Sequence, residues 1–156
     1  NFDTHAGSIY DTPEWPEDPL FYVNLPSQSD PLMAPKGKEA CFILIPIAPN
    51  LEDTTELREK YFNIVLERME QLMDTDIKPH ILFNESFCVK EFKKVYNSYK
   101  GNAYGMANTL LQTAFLRPKM KSKVVDGLYF TGQLTVPGPG VPPALISGKI
   151  VANFIN

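Results

Sequence analysis

The chain has 156 residues, of which 44% are hydrophobic, 12% aromatic and 21% charged, with a formal net charge of -3. This composition excludes wholesale disorder, and a folded chain of this length buries roughly two-thirds of the surface its unfolded form exposes. The acidic balance excludes the clustered basic surface that nucleic acid needs, and no run approaches the ~20 apolar residues of a spanning helix.

The opening, Asn1-Phe-Asp-Thr4, has no Met and reads as the middle of a polar connection, so a fragment is expected. Pro13, Pro16, Pro19, Pro26, Pro31 and Pro35 each forbid helix interior around them and predict a loop-rich N-terminal third. Between them Leu20–Leu25 reads as a short strand, Ala34–Gly37 as a turn and Cys41–Ile47 as a second, more buried strand, together an antiparallel pair. Cys41 and Cys88 have the spacing of neither a disulfide framework nor a metal site, so a reduced cytoplasmic protein without metal is expected.

After Pro49 the period changes from two to 3.6. Leu57, Tyr61, Ile64, Val65, Met69 and Leu72 fall on one face of a helix, with Glu56, Glu59, Lys60, Glu67 and Arg68 opposite. Asp53 followed by Glu56 predicts its cap. Ile77–Phe87 reads as strand-like, and Val89–Tyr96 as a short helix turning Lys90, Lys93 and Lys94 outward.

From Tyr99 the texture shifts to glycine and small residues, first Tyr99–Gly105, then Met106–Phe115 and Arg117-Pro118, and a domain crossing is placed here. The end of the chain predicts a strand, Gly127–Thr131, a glycine-rich loop, Gly132–Gly140, and a helix, Val141–Ala152. Gly132, Gly138 and Gly140 permit positive φ and close approach of a ligand to the main chain. Pro142 and Pro143 suit a first helical turn, where their missing N–H groups cost nothing. A helix start after a strand presents free amides and a positive dipole end to an anion or to developing negative charge. Spacing alone leaves a plain proline-glycine turn equally open.

The stretch from Tyr96 to Ala152 resembles the C-terminal signature of bacterial-type phytoene desaturases, the flavin-dependent carotenoid dehydrogenases. It carries Y-N-x-Y-K-G-x-A-x-G, then T-x-x-Q-x-x-x-x-R-P, then G-x-x-T-x-P-G-x-G-x-P and a closing S-G, in that order. Asp18–Tyr22, Pro26-Ser27 and Asp30 to Pro35 also resemble the family's substrate-domain strands. The resemblance implies a mixed α+β fold: residues 1–98 as the end of an antiparallel-sheet substrate lobe, and 99–156 as the returning strand-loop-helix of a Rossmann-like lobe that binds FAD. The dinucleotide fingerprint G-x-G-x-x-G is absent, since Gly138-Pro-Gly140 runs into Val141-Pro-Pro143. A C-terminal fragment, inactive without the N-terminal part of the same protein, is therefore expected.

Carried over by position, Gly132 is implied to pass near the pyrophosphate or ribityl chain, and Gln133 and Thr135 to flank the loop. Gly138, Gly140, Val141 and Pro142 are implied to face the flavin ring, where amides stabilise negative charge. Relatives with G-A-G-T-H-P-G differ at Leu134, which replaces a glycine, and at Val136, which replaces a histidine, so a drier loop is expected. The implied reaction is desaturation of phytoene or a related isoprenoid, hydroxycarotenoid or squalene-derived substrates included. No catalytic residue is assigned: His5 and His80 lie outside the signature, and Glu85, Glu91 and Asp126 have only their carboxylates to recommend them. A lipid-borne substrate implies peripheral contact with a membrane surface, for which Lys100, Arg117, Lys119, Lys121 and Lys123, with Tyr99, Tyr104, Phe115 and Met120, form a candidate patch. A non-catalytic α+β module whose loop binds a partner or merely turns the chain remains the alternative.

Overall fold

A computed structural model describes residues 1–107 and 109–155. Asn108, within the 106–115 run and the resemblance, and Asn156 lie outside the described residues. The architecture is mixed: four α-helices and one two-stranded antiparallel sheet among the described residues, joined by 3₁₀ turns and irregular segments.

The first helix, α1 (Phe2–Tyr10), stands where a polar connection was expected. Helix-breaking prolines begin only at Pro13, and upstream the Asn1 side chain accepts from the Asp3 amide (3.1 Å), satisfying an orphan donor at the helix start. Its buried residues are His5 and Ser8. His5 accepts at Nδ1 from the Leu20 amide (2.8 Å) and donates from Nε2 to the Pro46 carbonyl (2.7 Å), tying α1 to the segments flanking both strands. This buried latch is a role that the sequence did not disclose. His80, by contrast, sits exposed in a 3₁₀ turn.

The expected strand pair forms, shortened to β1 (Tyr22–Asn24) and β2 (Phe42–Leu44), with Tyr22 opposite Leu44, Val23 opposite Ile43 and Asn24 opposite Phe42; β2 is not the more buried of the two, since Phe42 and Leu44 are exposed as Tyr22 and Asn24 are. Pro26 opens a 3₁₀ turn directly after β1, and the turn at 35–38 closes through Lys38 N to Pro35 O (2.9 Å).

Helix α2 (Thr55–Met73) is capped by Thr54, whose hydroxyl accepts from the Leu57 amide (3.2 Å). The expected cap, Asp53, is instead buried and ion-paired with Arg58, and with Thr54 as the cap Glu56 falls on the second helical position, one short of the capping-box site. Tyr61 and Val65 are buried as the periodicity predicts, joined by Leu66, while Leu72 at the frayed end is exposed. Tyr61 stacks at 4.5 Å on Trp15 and donates to the Pro16 carbonyl (2.7 Å), and Arg68 lies over Phe21 and donates to the Pro19 carbonyl (2.6 Å). The proline-rich N-terminal segment is thereby fastened along α2.

The 77–87 segment is not a strand. It holds a 3₁₀ turn at Lys78–His80 and then runs with no ladder partner, leaving Leu82 and Phe83 exposed. Helix α3 (Val89–Tyr96) follows as predicted, with Glu91 accepting from the Cys88 amide (2.9 Å) and the three lysines outward. An ionic cluster links α3 to α2: Arg58 forks onto Asp53 (2.6 and 2.7 Å) and reaches Glu91 (2.5 Å), while the Lys90 amide donates to Asp53 (2.8 Å). Arg58 holds the Asp53 carboxyl below the usual range, and Glu91, which burial alone would push up, is held down by Arg58 and the Cys88 amide.

The expected strand at 127–131 is reduced to one bridge, Lys121 to Tyr129, flanked by Phe130 N to Met120 O (2.7 Å) and Ser122 N to Leu128 O (2.9 Å). A buried strand needs neighbours on both sides, and among the described residues this segment has only its own upstream arm. The final helix, α4 (Val141–Ile155), starts where predicted and runs three residues further.

Candidate functional site

The turn after α3 brings its small residues to the glycine loop. Lys100 O accepts from Asn50 N (2.7 Å), and a Cβ on Gly101 would fall 2.6 Å from the Val89 carbonyl, so the chain passes flush against the start of α3. The next glycine meets the loop itself: a Cβ on Gly105 would lie 2.5 Å from Leu134 Cδ2. Leu134 is thus seated on bare backbone, yet it remains 49% exposed, so the expected drier loop does not follow from it.

Three polar groups pin the loop from within. Ser147 of α4, 0% exposed, accepts from the Gly132 amide (2.7 Å) and donates to the Ala144 carbonyl (2.6 Å). Thr135, 1% exposed, returns both its amide (3.1 Å) and its hydroxyl (2.9 Å) to the Gly132 carbonyl. Arg117, 5% exposed, donates from Nη1 to the Gln133 carbonyl (3.1 Å) and lies against Gly138, where a Cβ would come 3.3 Å from Nη2. Gly138 is buried at φ 136°, so glycine is needed there on both conformational and steric grounds.

Two adjoining open clefts meet at Ala103 and Gln133. One, of about 440 Å³, is lined by Ala103, Tyr104, Gln133, Gly140, Val141 and Ala144. The other, of about 470 Å³, is lined by Phe92, Tyr96, Ser98, Ala103 and Gln133. Of the residues anticipated from sequence, Gln133, Gly140 and Val141 face the first cleft. Gly132, Thr135 and Gly138 form the folded body of the loop behind it, and Pro142 is exposed without lining it. The helix start offers fewer donors than its position implies. Pro142 and Pro143 have no N–H, and Ala144 N is spent on Gly140 O (3.0 Å), so the amides of Gly140 and Val141 are what α4 can present.

That geometry fits one edge of a flat, electron-accepting ring: open backbone, small side chains at Ala103 and Ala144, and two amides at the positive end of a 15-residue helix. It does not enclose a whole dinucleotide. Arg117 and Ser147 were not anticipated as site residues; the R-P and S-G pairs of the signature were the available signals for them, Arg117 being assigned to the surface patch instead.

The other candidates stand apart. Glu91 is engaged with Arg58 and the Cys88 amide, and Glu85 and Asp126 are exposed. Among the described residues no group of three metal-ligating side chains occurs, and no helix is long and apolar enough to cross a membrane. The candidate surface patch loses two members, since Arg117 and Met120 are buried beneath the loop and the 120–130 turn; Lys100, Lys119, Lys121, Lys123, Tyr99, Tyr104 and Phe115 are exposed.

No family model matches the chain. It is 45% identical over 155 residues to a carotenoid 3,4-desaturase of Haloarcula japonica, covering 99% of the chain and 31% of that protein. It is 35% identical to a neurosporene-forming phytoene desaturase of Rhodobacter capsulatus, covering 99% of the chain and 30% of that protein. It is 33% identical to a 4,4'-diapophytoene desaturase of Staphylococcus aureus, covering 87% of the chain and 28% of that protein. The chain therefore spans under a third of the length of the curated relatives it matches. Along nearly all of its own length it is similar to part of proteins named carotenoid and phytoene desaturases.

Proposed function

We propose that the chain forms part of an FAD-dependent desaturase acting on phytoene or a related lipophilic isoprenoid, and that its glycine loop borders the flavin. The observation that carries this reading is the cleft in which Gln133, Gly140 and Val141 converge on Ala103, Tyr104 and Ala144, within a segment homologous to carotenoid desaturases. Bound FAD would supply the hydride acceptor that desaturation requires. The chain's own contribution is positional. Gly140 and Val141 offer main-chain amides to a developing negative charge, Ala103 and Ala144 keep the cleft shallow enough for a ring edge, and Leu134 packs the loop onto Gly105.

In this reading residues 1–98 belong to the substrate lobe and 99–156 to the returning part of the flavin lobe. Both act joined to a further layer of the same polypeptide. The accessible surface supports that arrangement: it is 11772 Å², against about 7,900 Å² for a compact monomer of this mass. Lys100, Lys119, Lys121 and Lys123, with Tyr99 and Phe115, would serve peripheral contact with the membrane that holds the substrate.

The test compares the 156-residue chain with a polypeptide extended upstream to the length of the relatives. The extended protein, expressed in cells that accumulate phytoene, is expected to retain flavin and to turn the extracted pigment from colourless to coloured. The 156-residue chain alone is expected to do neither. Stoichiometric flavin on the short chain would overturn the division of labour. An extended protein without flavin would overturn the reading itself.

A further inference from the structure

The glycine loop has no regular secondary structure of its own between Gly132 and Gly140, yet its position decides where the Gly140 and Val141 amides stand. A loop of this kind is placed by whatever grips it. Two buried side chains from outside it do so, at different points: Ser147 from α4 holds the Gly132 amide, and Arg117 holds the Gln133 carbonyl and packs against Gly138. Both side chains are buried and engaged. Ser147 is wholly buried with donor and acceptor both engaged, and the guanidinium plane fills the volume that a side chain at position 138 would need.

We propose that Arg117 and Ser147 are positioning residues of the flavin-bordering loop, acting through Gln133, Gly138 and Gly132 rather than by touching the reacting atoms. This rests on the reading that the loop borders flavin. The two grips differ in kind. Ser147 fixes the end at which the loop begins, by a hydrogen bond that a methyl group cannot make. Arg117 fixes its middle by a charged donor together with a planar surface, so lysine keeps the charge and loses the plane. Arg117 is accordingly assigned to the loop and not to a solvent-facing or membrane-facing surface.

The test uses the extended, flavin-retaining protein and the variants Arg117→Ala, Arg117→Lys and Ser147→Ala. Flavin dissociation constants and the visible absorption band of bound flavin are read alongside the melting temperature. Loss of one buried hydrogen bond, charge-assisted for Arg117 and neutral for Ser147, corresponds to about a tenfold weakening of flavin binding for Arg117→Ala and about fivefold for Ser147→Ala. A displaced flavin band is expected with both, a change that stability alone would not produce. Arg117→Lys is expected to recover part of the affinity and to keep the displaced band. If Arg117→Ala does not fold, Arg117→Lys and Ser147→Ala carry the test. Unaltered affinity and an unaltered band in folded variants overturn the inference while leaving the flavin reading intact; a parent protein that binds no flavin overturns both.

Discussion

The two regions on either side of residue 98 are held together by different means. Residues 1–98 bury apolar side chains, Ala48, Tyr61, Val65, Leu66 and Val89, and fix two helices to one another through the Asp53–Arg58–Glu91 cluster. Residues 99–155 bury Met120 and Val151 but otherwise Arg117, Thr135 and Ser147, polar groups whose partners are main-chain atoms. Around them α4 leaves Val141, Leu145, Ile146 and Phe154 exposed, with Lys149 as the one charged residue in its 15. Apart from the face carrying Lys149 and Asn153 this helix is apolar, and so broad an apolar surface belongs against another layer. The first region has a small core and an ionic cluster of its own, although Leu32, Leu82 and Phe83 stay exposed; the second has a shaped loop and a largely uncovered helix, which accords with the further layer proposed above.

The largest effect should come from breaking the first region's ionic cluster. Asp53→Ala removes one of the two carboxylates that Arg58 engages and the acceptor of the Lys90 amide, leaving Arg58 with Glu91, which is expected to cost about 3 kcal/mol. Urea unfolding followed by circular dichroism measures it. Leu66→Ala, a buried truncation, is expected to cost about 2–3 kcal/mol in the same assay. The pH dependence has a definite sign. Asp53 and Glu91 are held low in the folded state, so their contribution is complete above the unfolded carboxylate value of roughly 4 and is lost as pH falls below it. Asp53→Asn should flatten the stability curve between about pH 5 and 2 relative to the parent. A curve of the same slope would remove the cluster from the account.

What could be read from the sequence divides along the same line. The 3.6 period of α2, the α3 lysines, the β1–β2 pair and the start of α4 follow from local patterning and were legible. Helix α1 was not, because the prolines that condemned the N-terminal third all lie beyond its end. The strand at 127–131 was legible as an apolar run, but an extended segment becomes a strand only when partners reach it, and partners are a tertiary fact. Asp53 looked like a cap because capping is a local rule; Arg58, five residues on and turned toward it, outbid Leu57 for the carboxylate and left Thr54 to cap. At the site, glycines and prolines announced the loop, whereas the side chains that hold it, Arg117 and Ser147, lie up to 16 residues from the main-chain atoms they grip.

A smaller effect tests the cap. Thr54→Ala removes the acceptor for the Leu57 amide and is expected to cost about 1 kcal/mol, with Thr54→Asp close to neutral because a carboxylate accepts the same bond and suits the positive end of α2. Equal losses in the two variants would place the cap elsewhere.

The smallest expected effect bears most directly on the contrast between the regions. Leu145 is 71% exposed on α4, and glutamine is nearly as good a helix former as leucine, so Leu145→Gln changes hydrophobicity while sparing propensity. In the 156-residue chain the unfolding free energy should move by no more than about 0.5 kcal/mol, the usual scale for an exposed position. In the extended protein the same change should cost about 2 kcal/mol, because a side chain that is bare in the short chain would there be buried against the added layer. The size of the difference between the two backgrounds is what matters: a common value in both would mean that α4 keeps this face toward solvent, and the second region would then need another explanation for its apolar helix.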